Sequence, residues 1–333
     1  MTELSSRTGR RPGRRPGRRP VRSAARTVTS AGLLSALLVG GVQAPAQASG
    51  ATRAASAPCA EQGRVEVFRK GGVPLLDWRE NLEFDGRGTL WVTHLMEHRV
   101  EGYAPDGTLR ASFPLNGPGG IERGPDGMMY VNYGANPLTS VLTGGGVVRF
   151  DPTAAEPKPE KFADGLSGIN GLAVDADGNF YLSRELSAGI IKIRPDGTRD
   201  EAWTRAADLF GTNGLEIVGD QLYSTSIIDA TSSIVRTPLN NPAGRTTIAR
   251  LTPNLLDSKV LDGLTSFDGD LLVVGFRSGE LIRVDPATGR SCVLVSGLHM
   301  PSSVRVPRGF GDHDPRRELF VAETSGRIVK VTV

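Results

Sequence analysis

"INGLAVDADGNFYLSR", residues 169–184, contains the pattern from which the fold follows. An apolar run leads into an Asp-Gly turn, and the turn leads into a segment rich in β-forming residues. Asp and Gly tolerate the positive φ that a tight hairpin requires. The stretch therefore predicts a β-hairpin, with Asn170 as a polar residue near the start of its first strand.

The same pattern recurs five more times with little sequence identity. The other copies are "RENLEFDGRGTLWVTH" (79–94), "PGGIERGPDGMMYVNY" (118–133), "TNGLEIVGDQLYSTS" (212–226), "LDGLTSFDGDLLVVGF" (261–276) and "PSSVRV…RRELFVAE" (301–323). A third β-rich segment follows each hairpin, and a variable fourth segment closes most units, which gives a period of about 40–50 residues. Radially repeated four-stranded sheets are typical of β-propellers, so we predict an all-β, six-bladed propeller with four antiparallel strands per blade.

The last repeat ends on its third strand, at Val333. Its missing fourth strand is most simply "GRVEVFRK" (63–70), which would close the ring by joining the last blade. We therefore expect the propeller domain to cover residues 63–333, after an N-terminal extension at 49–62.

Residues 1–48 resemble a secretory signal peptide. Arginine runs precede the apolar stretch "AGLLSALLVGGV" (31–42), and a small-residue cleavage motif ends at Ala48. This apolar stretch is too short to span a bilayer as a helix. The mature protein is expected to be secreted, by either the general or the twin-arginine route, without a membrane span and as a monomer.

Removal of residues 1–48 would change the sign of the net charge of the protein. These residues include nine arginines and one glutamate, so their removal reduces the 39 basic and 36 acidic residues of the chain to 30 and 35. The mature protein is then acidic, which removes the only support for nucleic-acid binding.

Cys59 and Cys292 are the two cysteines of the chain. In an exported protein such a pair permits one disulfide, which we favour over two free thiols. Cys59 lies just before the predicted closing strand, and Cys292 lies on the predicted outer strand of the fifth blade. A disulfide between them would fasten the closure of the ring.

Asn170 has equivalents in the other repeats, because each inner strand begins with a residue at the same register. These residues are Glu80, Gly119, Asn170, Asn213, Asp262 and Ser302. The inner strands surround the propeller axis, so their side chains should converge at one level of the central channel. Four of them, Glu80, Asn170, Asn213 and Asp262, bring oxygen ligands of the kind that Ca²⁺ prefers.

Ordinary turn chemistry is the alternative interpretation of these residues. Asn or Asp before Gly is common in turns, which accounts for Asn170, Asn213 and Asp262. It does not account for a glutamate at the same register in the first repeat. We therefore favour a shared cation.

This order of hub residues resembles that of the senescence-marker-protein, gluconolactonase and luciferin-regenerating-enzyme family, over about residues 63–333. The resemblance implies one divalent cation, most simply Ca²⁺, held by Glu80, Asn170, Asn213 and Asp262. It also implies hydrolysis of a lactone or related ester, with Asp262 as general base or nucleophile. The chain has no Gly-x-Ser-x-Gly motif, so a hydrolase here would depend on a metal.

Other candidate residues follow from the predicted ends of the strands. His94 and His299 should reach the same mouth of the channel, and each is a candidate base. Candidate substrate-binding residues on the rim are Tyr133, Arg184, Ser226, Phe276, Arg277 and Glu323. They mix aromatic and charged groups, which favours an amphipathic small-molecule substrate.

Two departures from the family restrict this hypothesis. Glu80-Asn81-Leu82 stands where the family has Glu-Gly-Pro, and Gly168 stands where gluconolactonase-like members carry the arginine that binds a sugar acid. A lactone is implied, but a sugar lactone is not. A non-catalytic NHL-like binding propeller with a structural ion remains the alternative. A third possibility is an enzyme that catalyses another reaction on this architecture, as strictosidine synthase does. Such enzymes usually lack the metal ligands, so the presence of these residues here argues against it.

Overall fold

The computed structural model describes residues 56–136, 144–187 and 189–333. The predicted signal peptide, residues 1–48, lies outside the described residues. The strands in chain order are β1 (Arg64–Arg69), β2 (Arg79–Phe84), β3 (Leu90–His94), β4 (Arg99–Tyr103), β5 (Leu109–Pro114), β6 (Ile121–Arg123), β7 (Met129–Tyr133), β8 (Gly145–Phe150), β9 (Glu160–Leu166), β10 (Ile169–Val174), β11 (Phe180–Arg184), β12 (Ile191–Ile193), β13 (Thr212–Val218), β14 (Gln221–Ser226), β15 (Ser233–Pro238), β16 (Thr246–Arg250), β17 (Leu261–Phe267), β18 (Asp270–Gly275), β19 (Glu280–Val284), β20 (Ser291–Val295), β21 (Pro301–Arg305), β22 (Glu318–Glu323) and β23 (Ile328–Thr332). A short helix, α1 (Glu201–Ala206), and one 3₁₀ turn, Pro242–Gly244, complete the described elements.

These strands form six antiparallel sheets, which are the blades of a six-bladed propeller. The first, second, fourth and fifth blades are β2–β5, β6–β9, β13–β16 and β17–β20. The sixth blade has the order β1-β23-β22-β21, and β1 pairs with β23 in the register Arg64 with Thr332. The predicted fold class and the closure of the ring by the N-terminal strand are confirmed.

The third blade departs from the four-strand pattern. Its sheet has three strands, β10–β12, and only an isolated bridge joins Ile193 to Arg199 in this part of the structure. The helix α1 follows, with Asp200 as its N-cap accepting from the backbone N–H of Trp203 at 3.1 Å. The indole N–H of Trp203 donates to the Leu239 carbonyl of the fourth blade at 2.7 Å. The helix therefore joins the third blade to the fourth at the place where an outer strand is expected.

The apolar side chains form six separate clusters, and each lies between two neighbouring blades. Between the first two blades, for example, Trp91 meets Phe150 with ring centroids 4.7 Å apart. Phe310 belongs to the cluster between the sixth and first blades. It comes from the long loop between β21 and β22, so that loop contributes to the core. The stability of the ring is consequently spread over the contacts between blades.

Cys59 and Cys292 form a disulfide. Backbone hydrogen bonds beside it run from Cys59 N to Val293 O and from Val293 N to Ala57 O, at 2.9 and 2.8 Å. The segment before β1 therefore pairs with the outer strand of the fifth blade, while β1 itself belongs to the sixth. Both contacts hold the N-terminal segment across the closure of the ring.

The two ends of the ring differ in their loops. The inner strands begin at the end where the second strands finish, as the pairs Arg79–His94 and Leu261–Gly275 show. We call this end the hub end; the loops between blades and those between second and third strands lie there. In the described part of the chain, no helix has the length and apolar character needed to cross a bilayer.

Candidate functional site

A β-bulge marks the hub position in five of the inner strands. Pairing with the second strand is interrupted between residues 79 and 82, 169 and 172, 212 and 215, 261 and 264, and 301 and 303. Such a bulge inserts an extra residue and re-aims its side chain. The bulges contain Glu80, Asn170, Asn213, Asp262 and Ser302, each no more than 5% exposed.

The glycines after three hub residues serve close packing. A Cβ atom on Gly171 would lie 2.2 Å from the Asn213 carbonyl oxygen, and one on Gly214 would lie 2.4 Å from that of Asp262. Neither glycine has the positive φ of a turn residue, and both lie within strands. The Asn-Gly pairs at the hub are therefore not turns, and the glycines permit the inner strands of neighbouring blades to approach.

Hydroxyl groups on the second strands tie the hub backbone of one blade to the next. Thr225 Oγ1 accepts from the N–H of Gly214 in its own blade at 2.8 Å and donates to the Asp262 carbonyl of the next blade at 2.7 Å. Thr93 makes the equivalent bonds from the first blade to the second, at 2.9 and 2.8 Å. These threonines position the bulges that carry the hub side chains.

For a Ca²⁺ ion held by the four predicted hub ligands, we expect Thr225→Val to weaken binding about tenfold, because groups that orient ligands contribute 10- to 100-fold to affinity in metal sites. Thr237→Val is the matched control, since Thr237 is also buried but lies on the third strand of the same blade. Titration calorimetry of both variants measures the difference. Equal affinities would contradict the positioning role of Thr225.

The four predicted ligands line one cavity of about 220 Å³ at the hub end. The amide N–H group of Asn170 donates to Glu80 Oε1 at 2.8 Å. Three buried oxygens, Glu80 Oε2, Asn170 Oδ1 and Asn213 Oδ1, have no hydrogen-bond partner among the residues that the structure describes. Buried acceptors rarely remain unpaired in folded proteins, so this arrangement suits a positively charged ligand.

The cavity is also rich in negative charge. Glu80, Glu185 and Asp262 line it, and no lysine, arginine or histidine is among the described residues that do so. Burial, followed by the charges of Glu80 and Glu185, raises the pKa of Asp262 well above its usual value. Burial and the charge of Glu80 raise the pKa of Glu185 to about 8. A cation placed here would favour the ionised carboxylates, so its binding should release protons and strengthen as the pH rises.

The donor set fits a hard divalent cation. It offers two carboxylates and two amides at the hub position, with no nitrogen or sulfur ligand, which is the chemistry that Ca²⁺ prefers. Within the described residues, no group of three or more His, Cys, Asp or Glu side chains is arranged to hold a metal ion. A cation held by the four hub residues would also use the amide oxygens of Asn170 and Asn213, which lack other partners within the described residues.

Glu185 was not predicted from the sequence. Its Oε1 accepts from the Asn170 amide at 2.7 Å, so Asn170 is held between two carboxylates. Glu185 lies one residue beyond β11, outside the hub register. The only sequence signal was its position next to Arg184, a predicted rim residue.

Of the predicted rim residues, Phe276 lines the cavity, and its ring centroid lies 5.8 Å from that of Trp78. Arg277 follows it and donates from Nη2 to the Leu256 carbonyl at 3.0 Å. The other predicted residues that end second strands do not line the cavity; these are His94, Tyr133, Arg184, Ser226 and Glu323. In three blades the next residue does so instead, namely Leu95, Glu185 and Ile227.

The two candidate histidines do not face the cavity either. His94 is buried in the first blade, with its ring nitrogens 2.7 Å from Glu97 Oε2 and 2.9 Å from Glu101 Oε2. His299 is exposed on the hub end, and its backbone N–H donates to Glu323 Oε1 at 3.1 Å. Glu323 in turn holds Arg327 by two bonds of 2.7 and 2.8 Å. Asp262 is thus the one predicted catalytic residue among those that line the cavity.

Comparison with solved structures supports the fold. A putative gluconolactonase has a TM-score of 0.60 at 16% identity, over 83% of this chain and 93% of that one. The calcium-binding protein regucalcin from Agrobacterium tumefaciens scores 0.60 at 14% identity, over 81% and 95%. Virginiamycin B lyase from Staphylococcus aureus scores 0.53 at 16% identity, over 76% and 79%.

No protein-family model and no curated protein sequence matches the chain. The gluconolactonase and regucalcin neighbours confirm, for the fold, the expected resemblance to the senescence-marker-protein, gluconolactonase and luciferin-regenerating-enzyme family. At such low identity it concerns the fold, which these hydrolase-like and calcium-binding proteins share with a lyase.

Proposed function

We propose that this protein is a secreted, Ca²⁺-dependent hydrolase of a lactone or related ester. The observation that carries the proposal is the cavity at the hub. Within the described residues, three buried oxygens there lack hydrogen-bond partners, and three carboxylates line the cavity with no basic side chain among its lining. The gluconolactonase neighbour shares the fold at low identity and supports the same reaction class.

Each hub residue has a role in this mechanism. Glu80, Asn170, Asn213 and Asp262 would hold the cation, and Glu185 would orient the amide of Asn170 through their hydrogen bond. A cation held there would supply Lewis-acid polarisation of the substrate carbonyl. Asp262 would either take a proton from the water that adds to the carbonyl and expels the ester or ring oxygen, or attack the carbonyl itself and expel that oxygen. In the second case water then hydrolyses the acyl group from Asp262.

Export is part of the proposal. The composition of residues 1–48 supports a cleaved leader, and a disulfide between Cys59 and Cys292 suits an oxidising compartment. The mature enzyme would then meet Ca²⁺ outside the cytoplasm.

A lactone panel assayed with Ca²⁺ and with a chelator tests the function. We expect chelation to lower the rate by about 100-fold or more, because polarisation by a cation contributes several kcal/mol to such reactions. Added Ca²⁺ should restore the rate, and circular dichroism should show that the chelated protein stays folded. Equal rates under both conditions would contradict a metal-dependent reaction. Absence of hydrolysis across the panel, with Ca²⁺ still bound, would favour the non-catalytic binding propeller.

A further inference from the structure

Exposed apolar side chains concentrate in the loops at the hub end, the end at which the cavity lies. Of thirteen large apolar side chains that are exposed in the described residues, nine belong to loops at the hub end. Eight of them lie within five residues along the chain of a residue that lines the cavity. Six of these eight, spread over five loops, are here called the apolar collar: Leu76, Leu186, Phe210, Ile228, Leu255 and Leu256. Scattered exposed apolar residues are normal, but a concentration at one site marks a surface that meets a ligand or partner.

The collar is continuous with the walls of the cavity. Leu186 follows Glu185, and Ile228 follows Ile227; both preceding residues line the cavity. Ile228 also packs against Gly211, the neighbour of Phe210, since a Cβ on that glycine would lie 2.3 Å from Ile228 Cγ1. The same loops thus provide both the walls and the rim.

The cavity itself has a polar floor and apolar walls. The side chains of the hub residues form the floor. The rest of the lining is apolar except for Glu185, and it consists of Trp78, Leu95, Ala135, Ile227, Val260 and Phe276. A ligand whose polar group lies on the floor therefore has mostly apolar side chains beside its remaining atoms.

The volume of the cavity decides where a larger ligand goes. At about 220 Å³ it is smaller than the roughly 300–1,000 Å³ typical of sites that enclose a drug-sized molecule. A lactone ring fits inside, whereas a longer substituent has to leave through the mouth. There it meets the collar, where Leu255 and Leu256 are 64% and 83% exposed.

We propose that the substrate is a lactone or ester with a long hydrocarbon or aromatic substituent, and that this substituent lies across the apolar collar. This inference rests on the proposed function, because it places the reacting carbonyl at the hub. The shape of this surface favours a small-molecule ligand over a lipid surface, because the collar continues into a concave cavity that a bilayer does not enter.

The test is a series of γ-lactones that carry alkyl chains of none to eight carbons on the same ring atom, assayed with the intact protein and Ca²⁺. We expect kcat/KM to rise roughly three- to fourfold per methylene group until the collar is covered. In a Leu255→Ser, Leu256→Ser double variant, the ratio of kcat/KM for the longest over the unsubstituted lactone should fall at least about tenfold. Val67→Ser is the matched control, because Val67 is 52% exposed on the outer strand β1, and it should keep the wild-type ratio.

The outcomes separate this inference from the proposed function. Hydrolysis of the short lactone with no dependence on chain length overturns the inference and leaves the proposed function standing. If no lactone is cleaved, calorimetry measures the affinity of the protein for the corresponding lactams. An affinity that rises with chain length and falls in the double variant supports binding of the substituent to the collar. An affinity that does not depend on chain length overturns the inference. Collar-dependent binding to phosphatidylcholine vesicles, combined with a flat lactone series, would assign the collar to a lipid surface and overturn the inference.

Discussion

Asp262→Asn is expected to lower kcat on a lactone by about 10³-fold at saturating Ca²⁺, because the variant loses the group that accepts a proton or attacks the carbonyl. The amide has nearly the shape of the carboxylate, and the Asp262 carbonyl bond to Thr225 remains. Structural collapse is therefore not expected. Single-turnover kinetics measure the loss in the rate of hydrolysis. Titration calorimetry of the variant with Ca²⁺ confirms that the cation is bound at the concentration used in the assay.

The control for this variant is Asp268→Asn, because Asp268 is an exposed carboxylate in the turn between β17 and β18 of the same blade. It should retain wild-type kcat. If Asp262→Asn retained more than a tenth of the wild-type kcat with Ca²⁺ bound, Asp262 would be a ligand only. Glu185, which also lines the cavity, would then be the next candidate for the base.

Replacing both cysteines by serine is expected to lower the free energy of unfolding by about 3–5 kcal/mol, because the disulfide closes a long loop of the unfolded chain. Cys59 and Cys292 are 233 residues apart in sequence, so the reduced chain gains much conformational freedom on unfolding. Urea unfolding of oxidised wild type and of the double variant measures the difference.

A reducing agent provides the control for the disulfide. It should lower the unfolding midpoint of the wild type to that of the double variant and leave the variant itself unchanged. A difference below about 1 kcal/mol would mean that the pairing of β1 with β23 holds the closure without the disulfide.

The repeat, the closing strand and the four hub oxygens could be predicted from the sequence because each depends on a short local pattern. Alternation and a turn that is usually Asp-Gly or Gly-Asp mark most of the hairpins, and the register of Glu80, Asn170, Asn213 and Asp262 follows from counting within the repeats. The structure brings these four side chains to one cavity. The prediction that these residues meet rested on the register that they share in the repeats, and no single residue type was sufficient for it.

The rim could not be predicted in the same way, because a shift of one residue reverses the direction of a side chain on a strand. His94, Arg184 and Ser226 end their strands, and in each case the following residue lines the cavity. The bulges at the hub could not be predicted from the sequence either, because they depend on how neighbouring blades pack. The helix in the third blade was missed because a variable outer segment has no repeated pattern to follow.

The sixth blade combines strands from both ends of the described chain, and this has a consequence for the order of events in synthesis. β1 is made early, but its partner β23 exists only after residues 328–332 have been added. Every earlier intermediate has an unpaired edge, and only the packing of β21 and β22 against β2 can bring the first and last blades together. In the proposed cation site, full affinity for the ion should therefore appear only after β23 has been made and has paired with β1.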